Sequence, residues 1–517
     1  MTHMFSGFQS FMRDGGGGLL LPEMMLVLFA MGILLTDYLL EARDKYFNAL
    51  MAMLGVIFSA ITLWQLRLAA ESGRAYGFSE SIYVDTFFLF FAFIFLVATA
   101  LVILLSVRYL QIEDENHGEY YALMLFATVG MMFMVAGNDL IVQFLGLETM
   151  ALSFYVLAGF LRRERRSNEG AVKYLLLGAF SSAILAYGFS ILYGIGATLD
   201  KTRFETPLPA RTNLAVIQAA VEMRSHGDLL VLLALVTVIS GLFFKVAAVP
   251  FHQWAPDVYE GSPTPITAYI SVASKTASFA LLLRLLLTVF WPVRLDWEML
   301  VAGVALASLT LGNFAAITQT NVKRMLAYSS ISHVGYILLG IVAAASSDLG
   351  FRTGMKGVAF YLFVYGFMTI GAFAVLIVLQ RQGIIGDELD DLNGLYRRSP
   401  ASAVVLLIFM LSLAGIPPLA GFIGKYFILQ ALIQTGHTRL ALFGALYIVP
   451  ALYYYFRIVA HAWLYEPGNA PSPIITGAQK VAFAALGFVT VAAGIYPEPF
   501  VRLATYSLFF PTTFSGH

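Results

Sequence analysis

Residues 242–254, LFFKVAAVPFHQW, place a lysine, a proline and a histidine inside a run that is otherwise apolar. A charged side chain at mid-bilayer costs about 2.5–3.5 kcal/mol on insertion scales, so such charges usually mark functional pathways. A proline inside a helix removes a backbone donor and clashes with the preceding turn. At membrane depth this is tolerated where the freed backbone faces protein or water. The stretch therefore predicts a broken membrane helix with a functional charge at Lys245.

The composition of the whole chain is that of a membrane protein. Of its 517 residues, 59% are hydrophobic and 12% are charged, and the mean hydropathy is +0.79. Basic and acidic residues are equal at 31 each, so the charge balance indicates no nucleic-acid partner. The sequence contains no cysteine, which excludes disulfides, thiolate zinc sites and iron–sulfur clusters held by cysteine. We therefore expect the chain to be embedded in a lipid bilayer.

Apolar runs of about 20 residues recur along the chain, each long enough to cross a bilayer as a helix. They predict an all-α polytopic membrane protein with about fourteen spans. The expected spans are 19–40, 46–66, 84–107, 119–137, 139–160, 170–197, 229–254, 264–290, 298–319, 326–345, 356–380, 401–433, 440–463 and 478–504. Residues 1–18 lack the pattern of a signal peptide and are expected to form a flexible leader.

Prolines break two of these spans at corresponding places. Pro250 follows Lys245 by five residues in the seventh span, and Pro417 and Pro418 precede Lys425 in the twelfth. The two spans are five apart, and an odd offset reverses the direction of the chain across the membrane. The spacing predicts two inverted five-helix repeats, 119–290 and 298–463, with helices 1–3 before them in 19–107 and helix 14 after them in 478–504.

The loops indicate an orientation. The densest basic cluster, RRERR at residues 162–166, lies between the fifth and sixth spans. Basic loops favour the cytoplasmic side, so we expect this loop in the cytoplasm and both termini on the periplasmic side. The two longer loops, 198–228 and 381–400, are expected to be solvated connections, with partner docking as the alternative.

Five charged residues lie within the spans: Glu148, Lys173, Lys245, Lys275 and Lys425. By their distance from the span ends, Glu148, Lys245 and Lys275 lie too deep to reach the interface easily by snorkelling. The alternatives are a packing salt bridge for the glutamate and a snorkelled position for each lysine, above all for Lys173 near the RRERR loop.

Three further basic residues lie nearer the span ends. Arg284, Lys323 and Arg324 are expected to be interface anchors.

Two histidines are candidate proton relays, because imidazole exchanges protons near neutral pH. His252 follows the Pro250 break, and His333 lies in YSSISHVGY among small hydroxylated residues. A packing role is the alternative for both. His461 stands among aromatic residues at a span end and indicates an interfacial belt. The spacing of these residues fits neither a metal site nor a nucleophilic triad.

Buried lysine is chemically suited to carrying protons. Desolvation favours its neutral amine, whereas a nearby carboxylate such as Glu148 favours the ammonium. A row of lysine, histidine and water across broken helices would therefore form a proton path with interacting sites.

Four motifs carry a resemblance to a known family. They are FFKVAAVPFHQWAPDVYEGSPTPITAYISVASKTA at 243–277, LGLE at 145–148, YSSISHVGY at 328–336 and GIPPLAGFIGK at 415–425. With them the chain resembles the antiporter-like membrane subunits of respiratory complex I and of multisubunit cation/proton antiporters, over nearly its whole length. The resemblance implies fourteen helices, a Glu148–Lys245 pair, a connecting Lys275 and an exit-side Lys425.

Among these subunits the chain is most similar to the innermost one of complex I. A sibling subunit has glutamate where this chain has Lys425, and another has a histidine near Lys275 and a long lateral helix after its last span. The resemblance implies a non-redox, proton-translocating subunit in a bacterial inner membrane, with other membrane subunits of complex I as partners. NADH, FMN, iron–sulfur clusters and quinone would be bound by other subunits. The alternatives are a subunit of a sodium/proton antiporter and a structural subunit whose polar residues only hold helices together.

Overall fold

The computed structural model describes residues 16–41, 44–71, 75–199, 210–224, 227–380, 386–467 and 472–508. Most of the predicted leader therefore lies outside the described residues, as do parts of the two longer loops. The described chain is almost entirely helical, with one small hairpin.

Thirteen helices in the described residues are long and apolar enough to cross a membrane. They are Gly17–Asp37, Tyr46–Arg67, Thr86–Glu113, Gly118–Ala136, Leu140–Ala158, Arg165–Ala197, Leu229–Val246, Thr264–Val289, Trp291–Ile317, Val322–Ser346, Asp348–Leu379, Thr438–Trp463 and Gly477–Ile495. The expected twelfth span consists of two halves of 15 residues, Pro400–Ala414 and Ala420–Gln434, so neither half alone is long enough. The thirteen helices and this divided span confirm the predicted all-α membrane fold. The spans are numbered first to fourteenth below, and the divided span, residues 400–434, is the twelfth.

Both predicted helix breaks are present. The first half of the seventh span ends at Val246, and the next residue, Ala247, has a left-handed backbone conformation. The second half is the helix Trp254–Gly261. The Trp254 indole Nε1 donates to the Phe244 carbonyl at 2.8 Å, and the Val249 amide donates to Ser308 Oγ at 3.0 Å. The break is stable inside the bundle because backbone groups that the helix no longer pairs find partners elsewhere in the protein.

The eighth span contains two wider turns. A π-helical turn, Ile270–Ser274, comes directly before Lys275, and a second one, Leu285–Val289, comes directly after Arg284. Such turns are rare and frequently mark functional positions in helices. Here both of them flank buried basic residues.

Two matching backbone bridges relate the halves of the chain. Asp139, which caps the fifth span, forms an antiparallel bridge with Asn213 in the loop after the sixth span. Asn321, which caps the tenth span, forms the same kind of bridge with Glu388 in the loop after the eleventh. The bridges lie five spans apart and hence on opposite faces of the bundle, as inverted five-span repeats require. The residue boundaries of the repeats remain a prediction.

Two elements were not expected from the sequence. Strands Ala75–Gly77 (β1) and Ile82–Val84 (β2) form an antiparallel hairpin before the third span. Helix Leu214–Glu222 lies in the loop that was expected to be a simple connection. Its apolar residues Leu214, Ile217 and Val221 share one face and are buried, which is the pattern of a short amphipathic helix packed on the bundle.

The connections alternate between two faces of the bundle. The face that carries residues 162–166 is called the arginine face below, and it also holds the loop between the eleventh and twelfth spans. The chain enters the first span and leaves the fourteenth on the opposite face, as the even number of spans requires.

Candidate functional site

Four of the buried basic side chains lie on four different spans. Lys245, Lys275 and Lys425 are each 2% exposed and His333 is 4% exposed. They lie on the seventh, eighth, twelfth and tenth spans, and they are called the central row below. Burying a charge is costly unless hydrogen bonds compensate for lost water, so the partners of each member decide what it can do.

Lys245 ends the first half of the seventh span. Its Nζ donates to the Tyr155 hydroxyl at 3.2 Å and lies 5.7 Å from the centre of that ring. The described residues show neither an ion pair nor a hydrogen bond between Lys245 and Glu148. Tyr155 and Glu148 are seven residues apart on the fifth span and share a face. The tyrosine hydroxyl therefore takes the place beside Lys245 where a carboxylate was expected.

Glu148 lies at the edge of the bundle. Its neighbours on the fifth span, Leu145 and Leu152, are 60% and 55% exposed. Its Oε1 is nevertheless buried and accepts no hydrogen bond from the described residues. Glu148 thus connects the interior around Lys245 with an outward apolar surface.

Lys275 lies in the eighth span, whose most apolar stretch is entirely surrounded by protein. Its Nζ donates to Ser330 Oγ at 2.6 Å and lies 5.5 Å from the centre of the Tyr259 ring. Neither partner carries a charge. The amine can therefore release its proton without leaving an unpaired carboxylate in the interior.

His333 is held between two tyrosines. Its Nδ1 lies 2.6 Å from the Tyr361 hydroxyl and its Nε2 lies 3.0 Å from the Tyr455 hydroxyl. Three residues before it on the tenth span is Ser330, the partner of Lys275, and three residues after it is Tyr336, whose ring lies 5.1 Å from Lys425 Nζ. Neutral imidazole has one donor and one acceptor nitrogen, so reversing both hydrogen bonds would exchange its tautomers. This arrangement suits a relay between the two lysines.

Lys425 binds the end of a half-helix. Its Nζ donates to the carbonyls of Leu413 at 3.0 Å and Ala414 at 2.8 Å, which end the first half of the twelfth span. Carbonyls at a helix C-terminus carry partial negative charge and favour a cation. The Tyr336 ring lies 5.1 Å from the same Nζ. The helix break thus supplies the site for the lysine.

Gly415 shapes this site. Its φ is +91°, and a Cβ there would lie 3.0 Å from Lys425 Nζ. We expect Gly415→Ala to displace the lysine and to cost about 1–3 kcal/mol in strain, lowering proton transfer and the midpoint of thermal unfolding. Gly436→Ala is the matched control, because Gly436 has a φ of +85° but open space around it. Equal functional loss in both variants would contradict a specific effect on Lys425.

Two further candidates lie apart from the central row. Lys173 is on the arginine face, where its Nζ pairs with Glu169 at 2.8 Å and Asp257 at 2.7 Å, and its side chain is 41% exposed. His252 lies in the break of the seventh span, beside Pro250. Its Nδ1 is buried and has no hydrogen-bond partner among the described residues.

Two of the three expected interface anchors, Arg284 and Lys323, are instead buried inside the protein. Arg284 is fully buried, and it donates to both carboxylate oxygens of Asp85 at 2.8 Å and to the Val135 carbonyl at 3.1 Å. Lys323 is 1% exposed and donates to the Glu260 and Ser262 carbonyls. The prediction of snorkelled anchors is wrong for both, because protein surrounds these span ends.

Arg324, by contrast, is partly exposed. It pairs with Asp257 and with Glu260, each at 2.8 Å.

The tyrosine partners were not found from the sequence. Tyr155, Tyr361 and Tyr455 are three of 26 tyrosines in the chain, and nothing in the local sequence distinguishes the last two. Helical spacing from Glu148 to Tyr155 was a usable signal for the first. In the described residues, groups of three or more His, Asp and Glu side chains that could hold a metal ion are absent.

The chain is similar to known membrane proteins over most of its length. The sequence profile of the family described as NADH:quinone oxidoreductase/Mrp antiporter, TM matches residues 137–449. The chain is 52% identical to NADH-quinone oxidoreductase subunit N 2 of Solibacter usitatus over 496 residues, which cover 95% of this chain and 97% of that protein.

Solved structures show the same fold. A chain of respiratory complex I from Thermus thermophilus is 28% identical and superposes with a TM-score of 0.75, covering 94% of this chain and 99% of the other. A chain of the Mrp complex from Dietzia sp. superposes with a TM-score of 0.78 at 21% identity, covering 95% and 98%. The second likeness concerns the fold alone.

Proposed function

The chain belongs to the family of membrane subunits of NADH:quinone oxidoreductases and Mrp antiporters, and from this premise we propose that its central row carries protons in steps. The chain is a proton-translocating membrane subunit of an NADH-quinone oxidoreductase. The steps run between Glu148, Lys245, Lys275, His333 and Lys425. Lys173 and His252 would act beside the row, as charged or polar groups at the arginine face and in the helix break.

The observation that carries this proposal is the kind of partner that each lysine has. Lys245, Lys275 and Lys425 donate to a tyrosine, a serine and two backbone carbonyls. A lysine in a tight ion pair would hold its proton, because the neutral amine would leave a buried carboxylate unpaired. With neutral partners, both protonation states are accessible in the interior. The row is therefore suited to proton transfer rather than to static pairing.

The wider assignment follows from the same premise. We propose that the chain acts as a non-redox subunit, and that NADH, FMN, iron–sulfur clusters and quinone are bound by other subunits. Its partners would be other membrane subunits, including further antiporter-like ones. The arginine face would lie in the cytoplasm, with both termini on the periplasmic side of a bacterial inner membrane.

Substitution of Lys245 tests the proposal. We expect Lys245→Met, in the assembled enzyme reconstituted in vesicles, to slow proton pumping per NADH oxidised at least about tenfold, because a positioned proton carrier is lost. Lys356→Met is the matched control, since Lys356 lies in the eleventh span beside Phe427 and outside the central row. Undiminished pumping by assembled Lys245→Met enzyme would favour the structural alternative.

A further inference from the structure

An acidic cavity of about 560 Å³ opens on the arginine face. Its carboxylates outnumber its two arginines and come from the third span, from the start of the sixth span and the residue before it, and from the loop before the twelfth. They are Glu113, Glu164, Glu169, Asp387, Glu388 and Asp391. A cleft lined by one sign of charge raises the local concentration of the opposite ion. The cavity would therefore concentrate cations and protons, but charge alone does not connect it to the interior.

Asp387 supplies that connection. It is 4% exposed, and its Oδ2 accepts no hydrogen bond from any residue that the structure describes. Its backbone carbonyl accepts from the Val322 amide at 2.7 Å, which fixes Asp387 at the start of the tenth span. The next residue of that span is Lys323, so this backbone bond holds Asp387 beside the end of the span that carries the lysine. A buried carboxylate with an unfilled acceptor thus lies between the cavity and a buried lysine.

Lys323 leads further inward. Its Nζ donates to the Glu260 carbonyl at 2.8 Å and to the Ser262 carbonyl at 2.7 Å, at the end of the seventh span. Residue 259, beside this contact, is the tyrosine whose ring lies 5.5 Å from Lys275 Nζ. Lys323 and Lys275 are therefore joined through one short segment of chain.

Two hydroxyls of that segment require a partner. Tyr259 Oη and Ser262 Oγ are buried and make no hydrogen bond with the described residues. Lys275 Nζ lies 5.5 Å from the centre of the Tyr259 ring and donates to Ser330 Oγ. Buried polar atoms without a protein partner are normally bonded to ordered water. The position of these hydroxyls therefore favours water between Lys323 and Lys275.

We propose that protons reach the central row from the arginine face by this route, with Asp387 as the proton-binding group at its outer end. The inference rests on the proposed function and adds the uptake route to it. The O–H bond of protonated Asp387 breaks as its proton passes to a bridging water, and an O–H bond of that water breaks as an N–H bond forms at neutral Lys323. Lys323 then passes a proton through the water at Ser262 and Tyr259 to neutral Lys275, and Asp387 takes its next proton from the cavity. After one cycle Asp387 is again protonated and Lys323 is again neutral.

Two conservative substitutions test the route in the assembled enzyme in vesicles. We expect Asp387→Asn and Tyr259→Phe each to slow proton uptake from the arginine face at least about tenfold, while Asp387→Glu retains most of the rate. Tyr121→Phe is the matched control for Tyr259→Phe, because the Tyr121 hydroxyl is also buried without a partner in the described residues but lies on the fourth span. Asp390→Asn is the control for Asp387→Asn, since Asp390 is on the same loop and 88% exposed.

The possible results distinguish failure of the uptake route from failure of the proposed role of the central row. A slow Asp387→Asn enzyme whose rate recovers as the pH on the arginine face is lowered supports a proton-binding role, because a merely structural loss would not recover. Wild-type uptake by Asp387→Asn and Tyr259→Phe, together with slow pumping by Lys245→Met, would overturn the route and leave the row intact. Wild-type pumping by Lys245→Met would instead overturn the proposed function.

Discussion

Lys275→Arg is expected to stop proton transfer along the central row while the enzyme still assembles. Arginine keeps the positive charge and can still donate to Ser330, but it does not lose its proton in proteins. Lys275 is 2% exposed, and its span is surrounded by other helices, so lipid-side water gives it no direct bypass. We expect the rate of proton pumping to fall about a hundredfold, within the range for loss of a positioned proton-transfer group.

The comparison that decides this prediction is between arginine and methionine at the same position. Proton pumping and NADH:quinone activity would be measured in vesicles for Lys275→Arg, Lys275→Met and the control Lys356→Arg. If Lys275→Arg pumps like the wild type and Lys275→Met does not, then a fixed positive charge is what the site requires. That result would contradict a carrier role for Lys275.

The features that could be predicted from the sequence are those that depend on the residues of a single helix. A lysine or a proline inside an apolar run is visible without knowledge of its neighbours, and so Lys245, Lys275 and Lys425 and both helix breaks were predicted correctly as buried or broken positions. The partners of these residues come from other spans. Tyr361 and Tyr455 contact His333 across 28 and 122 residues of sequence, and no local pattern specifies such contacts.

The distance of a residue from the end of its span was an unreliable guide to its surroundings. It correctly indicated that Lys275 is buried, but it indicated lipid-facing anchors at Arg284 and Lys323. Snorkelling requires a span end that faces the membrane interface. The eighth span is enclosed along its most apolar stretch, and the tenth nearly so, with 94% of that stretch buried. Charges near their ends must therefore be paired inside the protein.

The Arg284–Asp85 pair is expected to be the most sensitive point of the fold outside the central row. Arg284 connects the eighth span to the start of the third through both oxygens of Asp85, and it also contacts Tyr83 and lies 4.6 Å from the centre of the Phe87 ring. Removal of one partner leaves a buried charge without compensation, which typically costs about 3–5 kcal/mol. Arg284→Met should therefore strongly lower the midpoint of thermal unfolding of the purified protein.

A second substitution separates the lost charge from the lost packing. Asp85 also caps the third span by accepting from the Phe88 amide at 2.8 Å, and asparagine is an equally good cap. Asp85→Asn therefore removes the charge and keeps the cap. We expect Asp85→Asn with Arg284→Met to be more stable than Arg284→Met alone, because the double variant buries no unpaired charge. If the destabilisation in the double variant equals the sum of the two single effects, the pair is not coupled, and the stability of this region depends on packing around the arginine instead.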